Sequence, residues 1–343
     1  MIPAAFDGID PLGTAARSVT INLNNRCPLR CRHCSVGFSD NYAGDATTIS
    51  AETLAATIAA IDQTLYDMAL LAGGEPSLDP PLIRTAIEAC RSTGLLCAIV
   101  TAPVWAATSA TADRFMERVS GLDILILSYD EYHLEFIDVT QYERAIRAAA
   151  KARVSTIVHI VYTKEEDRSR LRDLLADVRH LVKFHDSRTV PFGNAADPHN
   201  VSMEQVVVNA VSDLDRIPRG CVLGNALVDD ENNVHGCCWS RFVPGSPFSE
   251  ATDARGLPAA FARLEDRPEF QSVRAHGFLG ALTVGGRDAL VRLVRGQGFA
   301  NECHICLKAM TDSDSEIWKS CRDPYAREPR PVATPAGSLD PSK

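Results

Sequence analysis

Short apolar runs alternate along the first half of the chain with longer segments in which apolar residues recur every three or four positions. The runs predict six strands: Ser18–Leu23, Met68–Ala72, Leu95–Thr101, Leu122–Ser128, Ser155–Thr163 and Leu181–His185. The periodic segments predict the intervening helices: Ala51–Leu65, Pro81–Thr93, Thr111–Ser120, Gln141–Lys151 and Glu165–Val178. Strands that alternate with amphipathic helices are typical of an α/β fold with a parallel sheet covered by helices.

The pattern changes after the sixth strand and divides the chain into four parts. Residues 1–17 are rich in Pro, Gly and Ala and predict a flexible lead-in. Residues 18–196 carry the alternating pattern, and residues 197–322 form a second region where cysteines return. Residues 323–343 are polar and Pro-rich, which predicts a disordered tail.

The composition of the chain argues against several classes of protein. The chain has 343 residues with 45% hydrophobic content, enough for a large core, and a formal charge of −9, which disfavours nucleic acid as a partner. No apolar run reaches the roughly 18–20 residues of a membrane span. Eleven cysteines without a secretion signal indicate metal and redox chemistry in the reducing cytoplasm.

Three cysteines after the first strand carry the strongest chemical signal. Cys27, Cys31 and Cys34 have the spacing C-x3-C-x2-C. Three thiolates on one short loop can hold three corners of a cubane iron–sulfur cluster and leave the fourth iron open for a small molecule. A disulfide framework would need an oxidising compartment, and a zinc site would need a fourth ligand at suitable spacing.

A glycine-rich turn follows the second strand. Gly73, Gly74, Glu75 and Pro76 end the apolar run Met68–Ala72. Glycines allow a close approach of the backbone to a ligand, and a carboxylate accepts a strong hydrogen bond from an ammonium group. Alone, Gly-Gly-Glu-Pro could be a simple turn, but after the three cysteines it is a candidate ligand-binding element.

A second group of cysteines lies in the region 197–322. An apolar strand from Asn225, a turn at Asp229–Asn233 and a returning strand predict a hairpin that ends in Cys237 and Cys238. Neighbouring side chains on a strand point to opposite faces, so only one of the two can easily bind a metal centre. Cys221 precedes the hairpin, and Cys303 and Cys306 lie far downstream with the spacing C-x2-C. Thiolates of this kind are candidate ligands for an iron–sulfur cluster or zinc.

The fourth strand ends in a polar patch, Ser128-Tyr-Asp-Glu-Tyr-His133. Together with the cysteine motif, the Gly-Gly-Glu-Pro turn and the paired cysteines, this patch resembles radical S-adenosylmethionine (SAM) enzymes, and among them the peptide epimerases of ribosomal-peptide pathways. The resemblance runs from about Ser18 to Ser313. It implies a partial (β/α)6 TIM-like barrel, with a C-terminal extension of the twitch or SPASM type that holds an auxiliary cluster.

The resemblance assigns roles by position. Cys27, Cys31 and Cys34 would bind the [4Fe–4S] cluster that activates SAM, and Gly73, Gly74 and Glu75 would hold its methionine end. Ser128 and Asp130 would lie near the ribose, and His33 would support the adenine. Cys221, Cys237, Cys303 and Cys306 would bind a second [4Fe–4S] cluster, with Cys238 as hydrogen-atom donor and Cys321 as the alternative donor.

The function that the resemblance implies is conversion of L- to D-residues in a precursor peptide. Its partners would be an electron donor such as flavodoxin or ferredoxin and a separate leader-peptide-binding protein. Asp130, Glu131 and Glu135 could attract a basic peptide or equally a polycationic aminoglycoside. The alternatives are a sugar or aminoglycoside dehydrogenase or epimerase, a maturase that crosslinks peptides, and an iron–sulfur sensor without turnover.

Overall fold

The computed structural model of the chain describes residues 17–35, 47–216, 225–229, 231–237, 239–243, 245–277 and 287–311. Cys221, Cys238 and Cys321 lie outside these residues. Residues 1–16 of the predicted lead-in and the predicted tail, 323–343, also lie outside them.

Nine of the described strands form one sheet, in the order β10-β9-β8-β1-β2-β3-β4-β5-β6. Their bounds are β1 Ser18–Asn22, β2 Met68–Ala72, β3 Leu96–Thr101, β4 Ile124–Tyr129, β5 Ser155–Tyr162, β6 Lys183–Arg188, β8 Asn225–Val228, β9 Val234–His235 and β10 Ser249–Glu250. β7 (Val206–Val208) and β11 (Gln297–Phe299) form a separate antiparallel pair. β1 to β6 are parallel, so all six end at one edge of the sheet. This sheet confirms the predicted α/β fold of a partial barrel.

Helices connect the parallel strands. They are α1 Ala51–Ala59, α2 Pro80–Thr93, α3 Ser109–Arg118, α4 Val139–Lys151 and α5 Glu165–Asp173, followed by α6 Gly256–Glu265, α7 Pro268–His276, α8 Arg287–Val294 and α9 Glu302–Thr311. The Ser50 side chain accepts from the Thr53 N–H, as predicted, and Asp79 caps α2 in the same way. None of the helices in the described ranges combines the length and apolar character needed to cross a membrane.

The two faces of the sheet carry different cores. One face contacts the helices and places residues such as Ile21, Leu71 and Ile99 in the main core. The other face, called the inner face here, holds a smaller apolar cluster formed by strand residues alone: Met68, Leu70, Ala98, Ile124, Ile126 and Ile157. Because side chains alternate along a strand, this cluster identifies which residues further along β4, β5 and β6 share the inner face.

The predicted hairpin after residue 224 is confirmed. β8 and β9 pair antiparallel, and the Asp229 Oδ1 accepts from the Glu231 N–H at 3.0 Å and the Asn233 N–H at 2.8 Å to close the turn. β8 also pairs in parallel with β1, from Ser18 opposite Asn225 to Ile21 opposite Val228. The hairpin therefore extends the barrel sheet across the predicted boundary at residues 196 and 197, and the domain limits remain a prediction.

Several predicted elements differ in their bounds, and α5 ends at Asp173 instead of Val178. α1 ends at Ala59 instead of Leu65, because the Asp62 Oδ1 accepts from the Thr64 N–H at 2.8 Å and builds a turn. β6 runs two to three residues later than predicted and includes charged positions. Asp186 belongs to it because the Arg172 side chain of α5 donates to its Oδ2 at 2.5 Å, so the charge does not end the strand.

A pair of glycines lets the end of β2 pack against the chain that leaves β1. The Gly74 N–H donates to the Asn24 carbonyl at 2.7 Å, and the Glu75 N–H donates to the Arg26 carbonyl at 2.6 Å. A Cβ atom on Gly74 would lie 2.1 Å from the Arg26 carbonyl oxygen, and Gly73 has a φ of 134°. Only glycine permits this contact between two backbones, which fixes the start of the cysteine loop.

Gly74→Ala should lower the free energy of unfolding by about 3 kcal/mol, because the added methyl group must push two backbones apart. Gly245→Ala is the matched control. Gly245 has a φ of 69° with no atom within 4 Å of a new Cβ, so the loss should be only about 1 kcal/mol. Urea unfolding under anaerobic conditions measures both variants, and equal losses would contradict the role of the contact.

Candidate functional site

The three motif cysteines follow directly after the carboxyl end of β1. Cys31 is buried, with 6% exposure, whereas Cys27 and Cys34 are half-buried. The Cys34 N–H donates to the Cys31 carbonyl at 3.1 Å, so this part of the loop forms a tight turn. The loop thus brings the thiols to the edge where the parallel strands end.

The segment after β6 holds the cysteine loop from the other side. The Asn194 N–H donates to the Cys34 carbonyl at 2.9 Å, and its side-chain amide donates to the Cys31 carbonyl at 3.3 Å. Gly193 has a φ of 57°, and a Cβ atom there would lie 2.4 Å from the Ser35 carbonyl oxygen. The stretch Val190–Ala195 therefore holds the cysteine loop in place, and it is called the clamp segment here.

The thiol pocket favours a cationic centre. Burial raises the pKa of Cys27 to about 12, and the Glu75 carboxylate and the Cys31 and Cys34 sulfurs raise it as well, against one hydrogen bond from the backbone of Leu29. A thiolate in this pocket is unfavourable until a metal centre balances its charge. Three soft ligands that influence one another electrostatically fit the open cubane site that the spacing predicts.

The Glu75 carboxylate is buried with 2% exposure. Its Oε1 accepts from the Ser77 N–H at 2.9 Å and the Thr101 hydroxyl at 2.5 Å, and its Oε2 accepts from the Ala102 N–H at 2.9 Å. Burial raises the pKa of this carboxyl, and the hydrogen bonds oppose the shift. Glu75 thus ties the end of β2 to the end of β3, and its predicted contact with the SAM ammonium group stays a prediction.

Asp130 organises a cluster of aromatic side chains beside the cysteine loop. Its carboxylate is fully buried, and Oδ1 accepts from the Tyr132 N–H at 3.0 Å and the His133 N–H at 2.9 Å. Its Oδ2 lies 2.7 Å from His133 Nδ1 and 3.1 Å from His33 Nε2. The His33 ring stacks on Tyr132, with centroids 4.7 Å apart and an interplanar angle of 18°.

Electrostatic interactions between the Asp130 carboxylate and the two imidazoles stabilise this cluster. Burial alone would raise the pKa of Asp130, but the two imidazoles outweigh it and hold that pKa well below its usual range. Burial would lower the pKa of His133, yet the Asp130 carboxylate and a hydrogen bond with Cys31 hold it well above its ordinary value. His33 and Asp130, for which separate contacts with adenine and ribose were expected, therefore form one hydrogen-bonded group, and those contacts remain predictions.

The acidic residues at this edge already face cations. Glu135 forms an ion pair with Arg32, and the Arg170 side chain lies 3.5 Å from the Glu131 carboxylate. Asp130 is enclosed by two histidines. The geometry therefore does not favour the expectation that these carboxylates attract a basic substrate.

Two histidines extend a polar row from Ser128 across the inner face, and these histidines were not singled out from the sequence. Ser128, His159 and His185 occupy adjacent positions on β4, β5 and β6, and all three are half-buried. His159 Nε2 lies 2.7 Å from the Ser187 hydroxyl, and the two imidazole centroids are 5.3 Å apart. The signal was present, because alternation along β5 and β6 places both histidines on the face opposite the helix-covered residues.

Three of the four predicted auxiliary ligands are described. Cys237 follows β9, whereas Cys303 and Cys306 lie on α9, one turn apart. All three are half-buried and pack against the main core. The fourth predicted ligand, Cys221, lies outside the described residues, so the auxiliary cluster stays a prediction.

Two contacts connect the auxiliary cysteines to the barrel mouth. The Trp239 and Phe192 rings lie 6.0 Å apart between centroids, and Phe192 belongs to the segment that clamps the cysteine loop. The Asn301 side chain, at the start of α9, donates to the Arg188 carbonyl at the end of β6 at 3.1 Å. Both cysteine-bearing segments therefore lie at the strand ends of the barrel.

The fold and the thiol site agree with a known family. Residues 21–178 match the model of the Radical SAM superfamily. The chain therefore contains a radical SAM domain. Such a domain implies SAM and a SAM-binding [4Fe–4S] cluster as cofactors. It explains why three thiols share a buried pocket.

Individual relatives are distant. The chain is 21% identical over 166 residues to YydG of Bacillus subtilis (strain 168), whose name assigns it provisionally to peptide biosynthesis. This match covers 47% of the chain and 51% of YydG, about half the length of the curated relative. Among solved structures, methylornithine synthase (PylB) has a TM-score of 0.41 at 15% identity, and the match covers 53% of this chain and 56% of the synthase chain. HydG, a maturase of the [FeFe]-hydrogenase, has a TM-score of 0.41 at 14% identity, and the match covers 59% of this chain and 48% of the HydG chain.

Anaerobically reconstituted protein should hold about eight irons per chain, because two four-iron clusters are expected. Replacing Cys27, Cys31 and Cys34 with Ala should leave about four irons and abolish cleavage of SAM. Colorimetric iron counting and chromatography of 5′-deoxyadenosine measure the two effects. Cys90→Ala is the control, since Cys90 is a core residue with 1% exposure and should keep every iron. SAM cleavage by the triple variant would contradict the assignment.

Glu75→Gln should lower the free energy of unfolding by about 1–3 kcal/mol, because an amide NH2 group would face a backbone N–H donor. If Glu75 also binds the ammonium group, SAM affinity should fall about ten- to hundred-fold. Urea unfolding without SAM and equilibrium SAM binding separate the two effects. Glu52→Gln, at an exposed position in the first turn of α1, is the control. Unchanged stability would contradict the observed hydrogen bonds.

Proposed function

We propose that the protein is a radical SAM peptide epimerase that converts L- to D-residues in a ribosomally made precursor peptide. Cys238 is the hydrogen-atom donor in this proposal. The observation that carries it is the contact between Trp239 and Phe192, which places a neighbour of Cys238 beside the clamp on the cysteine loop. The proposal requires the Cys238 thiol to reach the barrel mouth, where the substrate radical would form.

The reaction needs a hydrogen donor and two electrons. When bound, the cluster and SAM supply a 5′-deoxyadenosyl radical, which removes the Cα hydrogen of the substrate residue. Cys238 then gives its S–H hydrogen to the opposite face of Cα, the configuration inverts, and a sulfur radical remains on Cys238. One electron and one proton restore the thiol. Both electrons of the cycle come from a low-potential donor such as flavodoxin or ferredoxin.

The inner face supports a peptide substrate over a polycation. His159, His185 and Lys183 lie on this face of β5 and β6, next to the Ser128 hydroxyl. Imidazole, ammonium and hydroxyl groups can donate hydrogen bonds to carbonyl and carboxylate oxygens. A peptide backbone presents such oxygens at every residue, whereas an aminoglycoside presents many ammonium groups. The provisional assignment of YydG to peptide biosynthesis points the same way.

The auxiliary cluster belongs to the same proposal. Cys221, Cys237, Cys303 and Cys306 would hold a second [4Fe–4S] cluster beside the donor thiol, where it can pass the electron that restores Cys238. Thiolate ligands suit an iron–sulfur cluster and zinc alike. Recognition of a leader sequence would fall to a separate leader-peptide-binding protein.

Turnover in deuterated water tests this function. A candidate precursor peptide is incubated with the reconstituted enzyme, SAM and dithionite, and the product is analysed by mass spectrometry and chiral amino-acid analysis. Epimerisation through an exchangeable thiol should add one deuterium to Cα of a D-residue. A product that has lost hydrogens would instead show dehydrogenation or crosslinking and overturn the proposal.

Two single variants test the assignment of the paired cysteines. Cys238→Ala should keep both clusters and still form 5′-deoxyadenosine, but it should yield no D-residue because no thiol returns the hydrogen. Cys237→Ala is the matched neighbour and should lose about half of the iron. Iron counting and product chirality measure both variants. Loss of iron in Cys238→Ala, or a D-residue formed by it, would overturn the assignment.

A further inference from the structure

We propose that His133 is a positioning residue that donates a hydrogen bond to the Cys31 sulfur and makes the SAM-binding cluster easier to reduce. The inference concerns the cluster site and is independent of the substrate on which the enzyme acts. It also gives a role to the last residue of the patch Ser128–His133.

The distances place His133 against a cluster ligand. Candidate ligand atoms of Cys31, His33 and His133 all lie within 4.8 Å of one another. The Nδ1 of His133 is 2.7 Å from the Asp130 Oδ2. The other ring nitrogen, Nε2, is therefore the one that can form a hydrogen bond with the Cys31 sulfur. A cysteine thiolate bound to iron can only accept hydrogen bonds. The imidazole must therefore be the donor once the cluster is present.

The surroundings hold the ring in place. The Asp130 carboxylate is fully buried. It accepts a hydrogen bond from the His133 backbone N–H at 2.9 Å and also contacts the His133 imidazole. The same carboxylate bonds His33 at 3.1 Å, and the His33 and His133 rings meet edge to face with centroids 5.2 Å apart. These contacts restrict rotation of the His133 ring and keep it beside Cys31. This matches the general arrangement in which a partner outside the ligand set orients a metal ligand.

A hydrogen bond to a cluster sulfur changes the reduction potential. It withdraws electron density from the thiolate and so stabilises the reduced cluster, which carries one more negative charge. The electron needed to cleave SAM enters this cluster, so the potential sets how readily the reaction begins.

Two substitutions test the roles of the two ring nitrogens of His133 separately. In His133→Gln the side-chain amide overlays the position of Nε2 and keeps a donor for Cys31. In His133→Asn the amide overlays the position of Nδ1 and keeps only the contact with Asp130. Both variants remove the ring and change the charge equally. His133→Phe removes both donors, and His180→Phe at an exposed position is the control.

The readout is a redox titration of the reconstituted protein followed by electron paramagnetic resonance. The SAM-binding cluster is recognised by the change in its signal on addition of SAM. His133→Asn and His133→Phe should show an about tenfold lower ratio of reduced to oxidised cluster at a fixed potential, equal to about 59 mV for one electron. His133→Gln and His180→Phe should stay within about twofold of the parent ratio. Iron content should be unchanged in all four.

Several outcomes would overturn the proposal. Equal shifts in His133→Asn and His133→Gln, or no shift in either, would show that no hydrogen bond from the Nε2 position tunes the cluster. One zinc per chain that is lost in both His133→Phe and His33→Phe would show that Cys31 and the two histidines bind a single ion instead. If His133→Phe does not fold, the comparison of Asn with Gln still decides the question.

Discussion

The cysteine loop is held by two contacts between backbones, and each contact exists because one partner is a glycine. A Cβ atom would lie 2.1 Å from Arg26 O at Gly74 and 2.6 Å from Cys34 O at Gly193. One contact joins the loop to the end of β2, and the other joins it to the segment after β6. The loop thus bridges strands from both sides of the parallel sheet, so every group at this edge depends on its position.

Buried negative charge is balanced differently at each point of this edge. Three hydrogen-bond donors satisfy Glu75, and two imidazoles enclose Asp130. The thiols are compensated less completely: Cys27 has one backbone hydrogen bond, from Leu29, and burial still raises the pKa of Cys27 to about 12. The pocket is therefore prepared for a metal centre, whereas the two carboxylates are occupied in holding the protein groups around it. This division explains why Asp130 is a weak candidate for attracting a cationic substrate.

Topology joins the second cysteine region to the first. β8 pairs with β1, which leads directly into Cys27, while Trp239 contacts the clamp segment through Phe192. The inner face between these segments carries donors such as His159 and His185. The hairpin and the segment that follows it therefore pack against the same strand ends that carry the cysteine loop.

By itself, the sequence determined the order of strands and helices, the hairpin and the identity of the three thiols, because hydrophobic period, turn residues and ligand spacing are local properties. Only the tertiary structure decided that Asp130 joins His33 to His133, that Glu135 faces Arg32, and that the inner face carries a row of histidines. Residues about a hundred positions apart meet there because parallel strands end at one edge. Which polar groups pair at that edge depends on strand order and register, and no local pattern encodes those two properties.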